Sequence, residues 1–500
     1  MSALSKLLLL SCLACTAACI VPTIEEVEEQ EGPAGCDDAD HKCPESFVCY
    51  ENRCIQLTSD MVCKPGVSEA CDTNGLGECK AGARQCGAEG TFGVCESKKK
   101  PVFERCDGLD NNCDGPADNW NDPLPLSKSL DSGSTLAAIA VRRAPDGSQD
   151  TLLVLESEAG NLVARTLAPD GTLKQGTTFM PTSAAYNFRS PSLAADGDTV
   201  AAAWVEQGTV SSSSDYRVKL TLLDGSGSRA VSQVLELPYA SATVSRVKAA
   251  INMTHVLVAV TYTPSSTSTD VTAVYTVPRN EFTPTAVRGP NKIAAHRGGF
   301  GLDATANGTG NAFLVAFEDA GVRKTVIVKN DGSLTYAAGA AITQNGSTHS
   351  PFIAPLKDDP VRHVVFYVAN AVTGSGVTSQ LLGVGCGDQA CSLEPTVVGS
   401  TDSNIESMVM ARRPGMQGPE SALGVWTDPA SGQRRLLIGT LGSSGVKDWL
   451  PLRPPGNNTT LSEALVVMPD STRFLAYNQL APSLAVGYAS EGYLLPFCGP

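Results

Sequence analysis

From about residue 124 onward, apolar and polar positions follow one pattern: short apolar and β-branched runs, some alternating, set between Gly, Asp, Asn and Pro. Runs of that length with that punctuation predict strands and turns rather than helices. One unit recurs. Its core strand reads Leu152-Leu153-Val154-Leu155-Glu156, Val200 to Glu206, Val256 to Val260, Phe313 to Glu318, Val364 to Tyr367, Leu423 to Trp426 and Phe474 to Tyr477. Aligned on Leu155, Trp204, Val260, Phe317, Phe366, Trp426 and Tyr477, the units lie 49, 56, 57, 49, 60 and 51 residues apart. Several then carry a further strand and a Gly turn, as in Leu167 to Gly171, Leu222 to Gly225, Val328 to Gly332 and Leu441 to Gly445. Four strands per unit of roughly 50 residues match the blades of a β-propeller, whose circular closure hides most sheet edges. The fold class is therefore all-β, with a propeller over 123–500 read as seven-bladed; the repeats also accommodate six or eight. A pair of β-sandwiches is the alternative, and the regular spacing argues against it.

The first 122 residues have a different texture. Lys6, then Leu7 to Leu10, then small residues up to Cys19 follow the charged, apolar and small-residue order of an export signal. The run is shorter than the roughly 20 apolar residues a spanning helix needs, and the chain turns acidic at Glu25, Glu26, Glu28 and Glu29. Thr16-Ala17-Ala18-Cys19 resembles a bacterial lipobox, which implies cleavage after residue 18 and lipidation of Cys19, with Cys12 and Cys15 as rival sites. An ordinary signal peptide with incidental thiols is the competing reading. Ile20 after the lipid cysteine resembles the default sorting signal to an outer membrane. Residues 19–35, acidic and without hydrophobic period, read as a solvated tether.

Eleven of the 17 cysteines fall between Cys36 and Cys113, a density that reads as a disulfide framework in an exported chain. Cys36, Cys43, Cys49 and Cys54 define a module over 36–59, too small to bury a useful core, so two crossed disulfides are expected to hold it. Zinc is the rival reading, and the absence of C-x2-C knuckles weighs against it. A second module, 60–122, holds seven cysteines from Cys63 to Cys113. Seven is odd. One must pair outside the segment, and Cys498 is the candidate once Cys386 and Cys391 pair locally. A net charge of −15 excludes recognition of nucleic acid through a basic face and suits cation binding.

The sharpest motif runs from Cys106 to Asp118. Asp110, Asn112, Asp114 and Gly115 stand at the one, three, five and six positions of a D-x-[DN]-x-D-G loop, with Asp118 at nine. Ca²⁺ takes six to eight oxygens at about 2.3 to 2.6 Å, and alternate side chains around a tight Gly turn converge on one point, with the Pro116 carbonyl as a further donor. Asn121 replaces the usual bidentate Glu at twelve and no helices flank the loop, so the expected affinity is weak, on the order of 10⁻⁴ to 10⁻³ M. The competing reading is an Asx-turn loop braced by Cys106 and Cys113. Glu104 to Gly115, preceded by Gly75-Leu76-Gly77-Glu78-Cys79 and Gly82-Ala83-Arg84-Gln85-Cys86, resembles the MopE-like metal-binding repeat of secreted and surface proteins in myxobacteria and related bacteria. The likeness covers about residues 63–122. It implies a metal-binding surface module, although the family's Asp at Asn112 and its Asp-Glu at Asp118-Asn119 are missing.

Catalytic patterns are scarce. The five histidines, His41, His255, His296, His349 and His363, show no metal-ligand spacing, and there is no nucleophile elbow or P-loop. Asp196-Gly197 and Asp331-Gly332 read as hairpin turns. Glu206 and Glu318 read as strand ends in solvent, with convergence at a propeller mouth as the sharper alternative. The expectation is a non-enzymatic, lipid-anchored envelope protein that binds an envelope protein or glycan and Ca²⁺. A polysaccharide hydrolase or lyase acting in the propeller channel is the alternative.

Overall fold

The computed structural model describes residues 36, 42–102 and 104–118 and, beyond 124, residues 234 and 351, the strands, and the turns 197–198, 252–254, 265–269, 279–287, 310–311 and 330–333. Cys12, Cys15, Cys19, His41, Asn121 and Cys391 lie outside the described residues. The chain forms two compact units, one of 1–74 with 81–98 and one of 75–80 with 99–500.

In the first unit, Phe47–Tyr50 and Arg53–Gln56 form a hairpin whose turn residues Glu51 and Asn52 both have positive φ, the geometry of a tight two-residue connection. Cys49 and Cys54 face each other across it, yet each bonds outward, Cys49 to Cys36 and Cys54 to Cys43. These are the crossed pairs expected of the module. A three-stranded sheet follows (Ser68–Asp72, Ala81–Gln85, Glu96–Ser97), stapled by Cys63–Cys86 and Cys71–Cys95. Arg84 pairs with Glu69 and stacks 4.4 Å over Phe92.

The second unit is a β-propeller. Among the described residues, seven antiparallel sheets succeed one another, each beginning with the strand at one of its edges: Ala137–Arg143, Tyr186–Asp196, Ala242–Ile251, Leu302–Ala306, Phe352–Leu356, Asn404–Arg412 and Thr459–Val467. Each of these strands adjoins the first strand of the next sheet, and the last adjoins the first, so they form an inner ring. The ring closes through Leu124–Lys128, which pairs antiparallel with the chain's final strand, Ala489–Cys498, in the seventh sheet.

Why these runs make such strands follows from their surroundings. A strand inside a sheet that is packed on both faces must be apolar at every position, not at alternate ones. In Thr199–Gly208, Ala201, Ala203 and Val205 pack with Val256, Val258 and Val260 of the third sheet. Val200, Ala202 and Trp204 point the other way, against Leu153, Leu155 and Ala164 of the first sheet. Ala312–Asp319 repeats the division: Phe313, Val315 and Phe317 face the third sheet, Leu314 and Ala316 the fifth. Trp204 is the largest fully buried side chain among the described residues, 1% exposed, its ring centroid 5.1 Å from Phe179 and 6.4 Å from Phe188.

Polar links fasten sheet to sheet where side chains reach a neighbour's backbone. The Ala249 amide donates to the Ser192 hydroxyl (3.0 Å) and the Ile353 amide to the Asp303 carboxylate (2.8 Å), each bond joining inner strands of adjacent sheets. At the hairpin ends, Arg279 donates to Asp196 of the second sheet (2.7 Å) and to the Asn252 carbonyl (2.9 Å), while Asn252 Nδ2 donates to Asn330 of the fourth (3.0 Å). Asp196-Gly197 and Asp331-Gly332 are hairpin turns, with Gly197 and Gly332 at φ 63° and 84°.

Candidate metal centre

The loop 104–118 belongs to the propeller's unit and is fastened twice. Cys113 bonds Cys79, and Cys106 bonds Cys498, 392 residues away, the outside pairing that the odd cysteine count required. Cys386 is also disulfide-bonded, and its expected partner Cys391 is outside the described residues.

Within this frame the loop is organised by two buried carboxylates. Glu104, 1% exposed, accepts three backbone amides: Asn111 (3.2 Å) and Asp118 (3.3 Å) on Oε1, Asn112 (3.1 Å) on Oε2. Asp110, 6% exposed, accepts the Asp114 amide on Oδ1 (3.2 Å) and the Gly115 amide on Oδ2 (2.8 Å). Hydrogen bonds to an ionised acceptor are each worth about 1.5–3 kcal/mol, so these five set the loop's path. Gly115 has φ 118°, a conformation that L side chains rarely adopt. Gly77 has φ 51° and a Cβ there would fall on the Asp110 carboxylate, which is why the chain from Leu76 to Cys79 can press against the loop. The Glu78 amide completes that contact by donating to the Asp110 carbonyl (3.0 Å), and Lys99 pairs with Glu78.

Of the five expected ligands, Asp110 is thus buried and preset, while Asp114, Pro116 and Asp118 are exposed and Asn112 is half-buried. Asn112 accepts the Asp114 amide (3.1 Å) and its Nδ2 donates to Asp114 Oδ2 (3.2 Å). Asp118 Oδ1 accepts the Gly108 amide (3.0 Å). Asp110, Asn112 and Asp114 are therefore brought side by side, and Asp118 closes the far end of the loop. Among the described residues no three carboxylates have ligand atoms within 4.8 Å of one another; the trio that does is Cys36, Cys43 and Cys54. All three cysteines are oxidised and cannot serve as thiolate ligands. Glu104 escaped the sequence reading. It lies inside the motif, but a loop acid turned inward looks like any solvated one.

Glu206 and Glu318 correct a second expectation. They do not end their strands in solvent but are 2% and 8% exposed. Glu206 shares the face of Trp204, toward the first sheet, and Glu318 the face of Ala316, toward the fifth, so the two acids enter different interfaces. Glu206 stands opposite Arg217 in the register. Nearby on that face, Lys219 donates to Glu236 (2.6 Å).

No family model matches the chain, and no curated protein matches it. Among solved structures it is similar to hydrolases and to a β-propeller lectin. The α-L-arabinofuranosidase of Fusarium graminearum is 12% identical, with 75% of this chain and 97% of that one covered and a TM-score of 0.39. The six-bladed Aleuria aurantia lectin is 10% identical, covering 65% and 98% at a TM-score of 0.36. A prolyl endopeptidase is 12% identical over 69% of this chain at a TM-score of 0.42, and the match spans 46% of that enzyme's length. The propeller assignment rests on the closed ring of sheets itself. Among the described residues no helix is long and apolar enough to cross a membrane.

Proposed function

We propose that this protein is a non-catalytic binding or structural module of the cell envelope, lipid-anchored through Cys19, with a weak Ca²⁺-type site in the loop 107–118. The observation that carries the site is the state of Asp110. Its carboxylate is already held by the Asp114 and Gly115 amides, so the first ligand position exists before any cation arrives. Asn112 and Asp114 lie beside it, and Asp118 and the Pro116 carbonyl follow within the same braced loop. Ca²⁺ is a hard cation and these are all oxygen donors. Exposed Asp114 and Asp118 must swing inward to complete the set, and that rearrangement keeps the affinity low. The likeness to MopE-type repeats supports the same reading. Disulfide density supports an oxidising compartment, and with it the envelope address. The propeller then presents a surface to a glycan or another envelope protein.

Calorimetric titration of the protein, purified without its first 19 residues, is expected to show Ca²⁺ binding at about 10⁻⁴ to 10⁻³ M that disappears in Asp114→Ala. No heat and no thermal stabilisation at millimolar Ca²⁺ would reject the site. Capture from envelope extract with and without chelator then separates a metal-dependent partner from a metal-independent one.

A further inference from the structure

The propeller closes its ring at a seam in the seventh sheet, where Leu124–Lys128 lies against Ala489–Cys498. By hydrogen bonding alone this is a weak fastening. Only Leu124, Pro125 and Lys128 have register partners, the register slips between Glu491 and Tyr493, and Pro125 has no N–H to donate. On its other side, Ala489–Cys498 matches Thr472–Ala481 over ten residues without a slip.

The covalent bond falls at the same place. Cys498 ends the final strand and bonds Cys106 with Cα atoms 5.4 Å apart, while the chain leaving Cys106 comes back to that strand at Leu124, opposite Leu494. Cys106 and Leu124 are therefore both fastened to one strand, the first by a covalent bond and the second by pairing. Cutting the covalent bond removes one of the two tethers that keep the seam strand in place, the other being its chain connection to Ala137–Arg143. Access is also favourable. Cys106 and Cys498 are both partly exposed, a property shared among the described bridges only by Cys71–Cys95; Cys36–Cys49, Cys43–Cys54, Cys63–Cys86 and Cys79–Cys113 each have a buried end.

We propose that Cys106–Cys498 is a redox-sensitive latch on the propeller's seam, whose reduction frees Leu124–Lys128 and bares the outer edge of Ala489–Cys498. The reductant is an accessible dithiol. Its thiolate attacks one sulfur, a mixed disulfide forms, and the second thiol resolves it; the dithiol ends oxidised, having given two electrons and two protons, and Cys106 and Cys498 end as thiols. The other sheets stay in place because their inner strands adjoin all the way round.

Hydrogen exchange read by mass spectrometry, on protein treated with graded dithiol and mapped by thiol alkylation, tests the latch. Cys106 and Cys498 are expected to alkylate before Cys79 and Cys86. Amides of 124–128 and 489–498 should then exchange at least about 10-fold faster, with 199–208 and 255–264 unchanged. The double variant Cys106→Ser/Cys498→Ser should show the same pattern without reductant, and if it does not fold the graded reduction decides alone. Three results overturn the proposal: a bond that outlasts those with buried ends, a broken bond with exchange in 124–128 within about twofold of the oxidised protein, or exchange that rises through every sheet at once.

Discussion

Glu104 offers the sharpest test of how the acidic loop is held. In Glu104→Gln one oxygen is kept and the other becomes an NH₂ donor. The retained oxygen can stay with Asn111 and Asp118, which leaves the new NH₂ facing the Asn112 amide, donor against donor. The two surviving bonds also lose their charge assistance. With hydrogen bonds to a charged group at about 1.5–3 kcal/mol and neutral ones at about 0.5–1.5, the loop should lose about 3.5–6 kcal/mol of local stability. The disulfides at Cys106 and Cys113 keep the chain in place, so the loss should appear as local opening rather than global unfolding. Amide exchange over 104–118 should accelerate by about 300-fold or more, the equivalent of about 3.5 kcal/mol, with the propeller strands unaffected. Asp107→Asn is the control. Asp107 is exposed and closes only an Asx turn onto the Leu109 amide (3.0 Å), so its change should stay within about 0.5 kcal/mol. Protection at Asn111 and Asn112 that survives Glu104→Gln within about threefold would refute the claim that Glu104 organises the loop.

Two further predictions concern the propeller. Trp204→Ala should cost about 3–5 kcal/mol by urea unfolding, because the indole is fully buried between the first and second sheets with Phe179 and Phe188 around it; a loss under about 1 kcal/mol would mean the interface collapses freely onto the gap. His255 sits at a hairpin end with Nδ1 2.9 Å from the Thr254 hydroxyl, and burial lowers its pKa. The unfolded chain then takes up the proton first as pH falls, so the stability tied to neutral His255 is complete above about pH 6.5 and is lost as pH drops through the lower folded value. An NMR titration of the His255 ring that places its pKa at or above the ordinary histidine value would contradict this.

The parts of the fold that could be read from the sequence are those with burial on both faces. Leu155, Trp204, Val260 and Phe317 fall on the second strand of successive sheets, where packing on either side forces an uninterrupted apolar run, and Phe366, Trp426 and Tyr477 fall on the second strands of the next three. Outer strands such as Leu235–Leu237 and Leu334–Tyr336 are only three residues long and carry no period to detect. The seam strand was hidden for another reason. Leu-Pro-Leu-Ser-Lys looks like a linker, and its partner is at the far end of the chain, so no local pattern points to it. At the site, the alternating acids and the Gly turn pointed to a segment that folds as a braced loop, and parity, with Cys386 and Cys391 set aside as a local pair, led from seven cysteines to Cys498. Glu206 and Glu318 defeat the sequence pattern because an acid at the end of an apolar run looks like a solvated strand end, whereas the strands continue to Gly208 and Asp319. Glu104 was missed because burial of a carboxylate among backbone amides leaves no trace in residue type.

The bond between Cys106 and Cys498 also gives the molecule a way of recording its own completeness. A ribosome delivers Cys106 392 residues before Cys498, so throughout elongation of the propeller one thiol among the clustered cysteines has no rightful mate. It can borrow one, and each borrowed pairing must be undone by exchange before the proper partner arrives. Any chain truncated upstream of Cys498 carries that thiol permanently, even where most of its sheets have formed. Once Cys106 and Cys498 join, that thiol is gone. The bond is thus also a receipt for the propeller, and a thiol-scanning oxidoreductase or protease can tell chains that reach Cys498 from those that do not without inspecting the fold at all.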